Sequence, residues 1–184
     1  YVPHDVNGLM TQCGGKEDFI ARLDTFFVKN YYNVGNEPSF LTPTLYNYAG
    51  RQDKTAETVR SIISNSYSAT RGGIPGNDDS GSMSAWLAFH LMGFYPNAGQ
   101  DLYLVTAPHF DRVTLQLDNA PDLIIETKNL SDRNIYIQKV LLNGQELNRS
   151  WLTHTELQQG GQLEFHMGKK QNNDWEVKMP PADR

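Results

Sequence analysis

The chain has 184 residues, a formal net charge of −5, 39% hydrophobic and 20% charged residues. That is the balance of a globular protein rather than a disordered one. Its Lys and Arg are scattered under an acidic total, which excludes a nucleic-acid footprint, and no apolar run approaches the length of a membrane span. A single cysteine, Cys13, excludes an internal disulfide and a zinc cluster, and reads as a small packing residue.

Residues 1–14 carry Pro3, Asp5, Asn7 and Gly8 and read as loop with a short turn. No signal peptide opens the chain. The start YVPHD reads like the middle of a polypeptide, so a fragment or a processed product is expected. Phe19, Ile20, Leu23, Phe26 and Phe27 recur at helical spacing and predict a helix over 15–30. Residues 31–52, rich in Tyr, Asn, Gly and Pro, read as a surface loop or site wall with a short helix around 40–48. Asp53 is expected to cap a helix over 54–68 with Val59, Ile62, Ile63 and Tyr67 inward. Next comes the stretch GIPGNDDSGSMSAW at 73–86. Its glycines and Pro75 make a turn, and Asn77, Asp78 and Asp79 follow at once. Ser80 or Ser82 is expected to cap a helix over 82–92, with Met83, Trp86, Leu87 and Leu91 on one face. Ala85, Ala88 and Phe89 make that helix apolar on most sides, so it should be buried, and Gly93 and Pro96 end it.

From residue 101 the period changes from 3.6 to 2. Alternating runs at 102–106, 113–117, 123–125, 135–137, 140–142 and 163–167 read as strands, with a last one at Trp175–Val177. Asn143-Gly144 is a two-residue hairpin signal. The class is α+β: a helical part, 1–97, then a small antiparallel β-sandwich region, 98–184.

Carboxylates at the mouth of a helix N-terminus stay ionised more readily, because the positive end of the dipole favours the charged form. There they can take a proton from water or bind a hard cation. Two acids before a helix also serve as plain turn and cap residues. The wider pattern adds to this. Residues 2–9 (VPHDVNGL), 23–27 (LDTFF), 35–39 (GNEPS), 45–50 (LYNYAG), Lys54-Thr55 with Val59-Arg60, 73–86, 93–96 (GFYP) and 141–144 (LLNG) together resemble glycoside hydrolase family 92. These are the calcium-dependent, exo-acting α-mannosidases.

The resemblance implies that residues 1–97 are the C-terminal helices of an (α/α)6 catalytic barrel and that 98–184 is the terminal β region. It implies hydrolysis of terminal α-linked mannose, α-1,2-linked in preference, with inversion. Inversion places a protonated carboxyl on one side of the bond and, about 6.5–9.5 Å away, a carboxylate that activates water. Carried over by position, Asp79 is the general base, with Asp78 the alternative. Asn36, Glu37 and His4 face the sugar. Asn77, Asp79 and the backbone carbonyl of Phe40 serve Ca2+. The family's motif continues Asn-Glu-Pro-Ser-His where this chain has Phe40, and Ser82 stands where Gln is common. The family's general acid lies ahead of the segment at 2–9, so the chain is expected to lack it. The partners expected are a mannose-containing glycan and the missing N-terminal portion, and the expected location is periplasmic or secreted. The competing reading is a non-catalytic carbohydrate-binding or structural module. His90 reads as a core residue, and His109, His154 and His166 share no metal-ligand spacing. Tyr46, Tyr48 and Trp86 could stack on a sugar, although Trp86 lies on its helix's core face.

Overall fold

The computed structural model describes residues 2–172 and 178–181; the strand expected at Trp175–Val177 lies outside these. The first element is a helix where loop was expected. Helix α1 (Val6–Gln12) is opened by Asp5, whose carboxylate accepts the Gly8 N–H at 2.7 Å. It buries Val6 beside Phe19, Ile20 and Leu23 of α2 (Lys16–Val28). Seven residues containing a glycine form no stable helix alone, so the cap and this packing hold it.

The tyrosine-rich stretch becomes two 3₁₀ helices, Glu37–Ser39 and Thr42–Ala49. Helix α3 (Gln52–Ser66) buries Ala56, Val59 and Ile62. Asp53 is not its cap. It sits in the first turn and pairs with the Arg51 guanidinium at 2.6 Å, and Arg51 holds the N-cap position. Helix α4 (Ser82–Met92) ends on Gly93 at φ 101°. It buries Met83, Trp86 and His90 but leaves Ala85 and Ala88 exposed. It is therefore one-sided, since a lone methyl costs little in water.

Two sheets follow. The smaller joins β1 (Phe94–Pro96), β2 (Tyr103–Val105) and β7 (Trp151–Leu152) in the order β1-β2-β7. The larger has the order β3-β4-β8-β5-β6, from β3 (Arg112–Leu115), β4 (Leu123–Lys128), β5 (Tyr136–Leu142), β6 (Gln145–Glu146) and β8 (Gly161–Gly168). Among these strands all pairings are antiparallel except β4 with β8. Asn143 and Gly144, at φ 51° and 78°, turn β5 into β6, as a hairpin with two left-handed central residues requires. The runs at 135–137 and 140–142 fuse into β5, with a bulge between Ile137 and Lys139. A short helix, α5 (His154–Gln158), carries a capping box of Thr153 and Glu156.

Phe94, Val105 and Leu152 of the small sheet pack with Leu123, Ile125, Leu163 and Phe165 of the large one. Asn47 ties the helical layer to this sandwich. Fully buried, it donates to the Val105 carbonyl at 2.8 Å and the Ser150 carbonyl at 3.3 Å, and accepts the Thr55 hydroxyl at 2.7 Å.

His90 is a core residue, stacked on Tyr95 with ring centroids 4.7 Å apart and an interplanar angle of 3°. Burial, helped by nearby His109, lowers its pKa to about 3. Burial and Arg60 lower His109 to about 4. The unfolded chain protonates both near pH 6.5, so between there and about pH 4 it binds protons that the fold refuses. Thermal stability is expected to be level above pH 6.5 with respect to these groups and to fall as the pH drops toward 4. His90→Phe should flatten that fall, as melting curves across the range will show. An unchanged acid slope would clear His90 of the effect.

Candidate active site

Two turns carry the acids singled out in the sequence, and the backbone brings them together. A Cβ on Gly35 would lie 3.0 Å from the Gly76 nitrogen, and a Cβ on Gly76, at φ 64°, would lie 2.7 Å from the Gly35 oxygen. Gly76 has no space for a side chain at this approach, and one on Gly35 would be tight. It sets Asn36 and Glu37 beside Asn77, Asp78 and Asp79.

The second turn has unusual backbone. Asp78, Asp79 and Ser80 all have positive φ, at 58°, 31° and 60°, and Gly81 follows at 90°. A non-glycine residue in this region costs about 1–3 kcal/mol and persists only where its surroundings hold it. The holding bonds are local. Asp78 Oδ1 accepts both the backbone N–H and the hydroxyl of Ser84, each at 2.9 Å. The Asp78 carbonyl accepts from Gly81 and Ser82 N–H groups at 2.7 Å, and the Ser82 hydroxyl donates to the Asp79 carbonyl at 2.7 Å. Neither Ser80 nor Ser82 is the N-cap of α4. That position is Gly81, and the Asp78 carboxylate does the capping from outside.

The two acids thus have different work. Asp78 is half-buried and bonded into its own helix, whereas Asp79 is exposed and in contact with the Glu37 carboxyl. Partial withdrawal from solvent, then the charge and hydrogen bond of Glu37, hold Asp79 above the usual carboxylate range. Glu37 opens the 3₁₀ turn Glu37–Ser39, its carbonyl accepting from the Phe40 N–H at 3.0 Å. The Phe40 carbonyl accepts the Trp86 indole N–H at 3.0 Å, which occupies one of its two lone pairs. Asn36 and Asn77 are exposed on the two turns. His4 is exposed in the turn ahead of α1, and its neighbour Asp5 is spent on capping α1.

Tyr46, Tyr48 and Trp86 are each no more than 2% exposed, which removes all three as sugar-stacking surfaces. Beside the Glu37 turn, an open apolar groove of about 420 Å³ runs along α1 and α2, lined by Leu9, Phe19, Leu23, Phe26, Pro38 and Leu45. No helix among the described residues is long and apolar enough to cross a membrane. The glycine pairing and the Trp86–Phe40 bond were not anticipated. Their only sequence trace is the placement of Gly35 and Gly76 immediately before Asn36 and Asn77.

Acids on two touching turns, one of them raised in pKa, thus lie at the N-terminal mouth of a helix whose far end leads into a β-sandwich. The sequence profile of the glycosyl hydrolase family 92 catalytic domain matches residues 1–169, and the chain belongs to that family. A protein of Arthroderma benhamiae described as an uncharacterized secreted glycosidase is 38% identical over 176 residues, covering 94% of this chain and 23% of the relative. The family GH92 α-mannosidase BT3965 from Bacteroides thetaiotaomicron superposes with a TM-score of 0.93 at 34% identity, over 99% of this chain and 26% of that one. The family GH92 inverting mannosidase BT2199 of the same organism gives 0.84 at 34% identity, over 99% of this chain and 28% of that one. The chain therefore spans about a quarter of the length of these relatives.

Proposed function

We propose that this chain is the C-terminal part of a secreted or periplasmic, exo-acting, inverting α-mannosidase that removes terminal mannose, α-1,2-linked in preference, from glycans. Residues 1–97 close the catalytic barrel and 98–184 form its sandwich region. The observation that carries this reading is the contact between Asp79 and Glu37 on facing turns, with Asp78 withdrawn to cap α4. Asp79 is exposed and, unlike Asp78, is not spent on capping a helix, so its carboxylate is placed to draw a proton from water. Asn36 and Glu37, with His4, contact the mannose hydroxyls. The open groove along α1 and α2 is the place for helices contributed by the rest of the barrel.

The calcium ion implied by the family resemblance fits the donors present. They are hard oxygens, and the Glu37–Asp79 contact concentrates negative charge that a dication relieves. Asp79 and Asn77 would hold the ion, with the remaining lone pair of the Phe40 carbonyl. Among the described residues no three His, Cys, Asp or Glu side chains gather as a cage. When bound, such an ion polarises the water and the sugar hydroxyls it touches.

The general acid comes from outside this chain. Its help is worth about 10²–10⁴-fold, so a base without it cleaves an unactivated mannoside poorly. The test assays the chain and the full-length protein on α-1,2-mannobiose, following the anomer of released mannose by NMR. The full-length protein is expected to release β-mannose first, and the chain alone to show little turnover. Robust turnover by the chain alone would refute the assignment of the acid, and α-mannose as first product would refute inversion.

A further inference from the structure

Two of the contacts between the acid-bearing turns do not hold them together. The Gly35–Gly76 approach is close packing of backbone, and the Glu37–Asp79 contact is repulsive once both carboxyls ionise. A directional attraction that does not depend on the protonation of either acid is the hydrogen bond from the Trp86 indole to the Phe40 carbonyl, 3.0 Å long.

This bond is rigid at both ends. Trp86 is wholly buried, lies parallel to Tyr67 at 5.7 Å with an interplanar angle of 1°, and has His90 at 4.2 Å behind it. Tyr67 is itself fixed by its hydroxyl, which donates to the Met83 carbonyl at 3.1 Å. The ring has no room to follow a drifting acceptor. At the other end Phe40 donates its own N–H to the Glu37 carbonyl. A short chain of bonds thus runs from the indole through Phe40 to the backbone of Glu37. The helix that carries Trp86 is the helix that Asp78 caps, one residue before Asp79.

We propose that Trp86 is a positioning residue, whose indole N–H fixes the Glu37 turn at working distance from Asp79. The proposal rests on the reading of Asp79 as base and Glu37 as sugar contact. Trp86 touches neither sugar nor water. It sets where Glu37 holds the sugar relative to Asp79, and a misplacement of about 1 Å at such a site costs on the order of 10²-fold in rate.

The test separates the N–H from the ring. Trp86→β-(3-benzothienyl)alanine, introduced into the full-length protein by codon suppression, keeps the bicyclic shape and removes the donor. Trp86→5-fluorotryptophan keeps both. The benzothienyl protein is expected to melt within a few degrees of wild type, to lose about 10–10²-fold, mostly in kcat, and to exchange the bonded amide hydrogens of Ser39 and Phe40 faster. The fluorotryptophan protein is expected to match wild type in all three. Wild-type kcat and exchange in the benzothienyl protein would overturn the proposal, as would equal losses in both variants, which would assign the effect to ring packing. Inactivity of the wild-type protein on α-mannosides would refute the proposed function instead, and exchange at the two amides would still decide whether the indole holds the turn.

Discussion

Asp79→Asn in the full-length protein is expected to lower kcat on α-mannobiose by about 10²–10⁴-fold while mannose still binds, because the amide keeps the shape and the hydrogen bonding but takes no proton. Removing a carboxyl that lies against Glu37 takes away a like-charge contact, so the variant should melt no lower than wild type. Asp78→Ala is the contrasting case. Its carboxylate serves the Ser84 N–H and hydroxyl at 2.9 Å, and its loss should cost about 1–2 kcal/mol of stability, the ordinary worth of a helix cap. Turnover in that variant should fall far less than in Asp79→Asn. Turnover assays with mannose-induced shifts in melting temperature read out both. Undiminished turnover in Asp79→Asn would pass the base to Asp78 or elsewhere; the reverse pattern in the pair would pass it to Asp78.

The two aspartates also mark where sequence reasoning reached its limit. That acids preceded a helix with one buried face was legible, because Met83 and Trp86 repeat at helical spacing behind a glycine-rich turn. Which acid would cap and which would face Glu37 was not. That division follows from three successive non-glycine residues in left-handed conformation, which no local propensity favours and which bonds to Ser82 and Ser84 sustain. Helices α2, α3 and α4 were legible from their apolar period, and the β5–β6 hairpin from Asn143-Gly144. Helix α1 was not, since its order comes from Asp5 and from packing on α2. Nor was the parallel pairing of β4 with β8: alternation tells which face of a strand is buried, not which strand lies beside it.

Asn47→Ala is expected to be the most damaging single change to stability among those considered, at about 3–5 kcal/mol. The side chain is fully buried, accepts the Thr55 hydroxyl and donates to the Val105 carbonyl; it also reaches the Ser150 carbonyl, which keeps the Val105 N–H at 2.9 Å. Each buried polar group left without a partner costs about 1–3 kcal/mol, against a typical total of about 5–15 kcal/mol for a folded domain. Those partners sit on α3, on β2 and just ahead of β7, so the loss loosens the seam between the helical layer and the sandwich rather than one local turn. Urea unfolding of Asn47→Ala should show a lower midpoint, and turnover per folded molecule should stay near wild type, because Asn47 takes no part in the bonds that set Glu37 against Asp79. Asn47→Asp sharpens the argument. An ionised carboxylate donates nothing and would face two carbonyl oxygens, so this variant should be less stable than Asn47→Ala at neutral pH, although it is nearly the size of the native residue. A loss below about 1 kcal/mol in Asn47→Ala would mean that water replaces the amide at the seam, and that the seam is held by the apolar contacts around it.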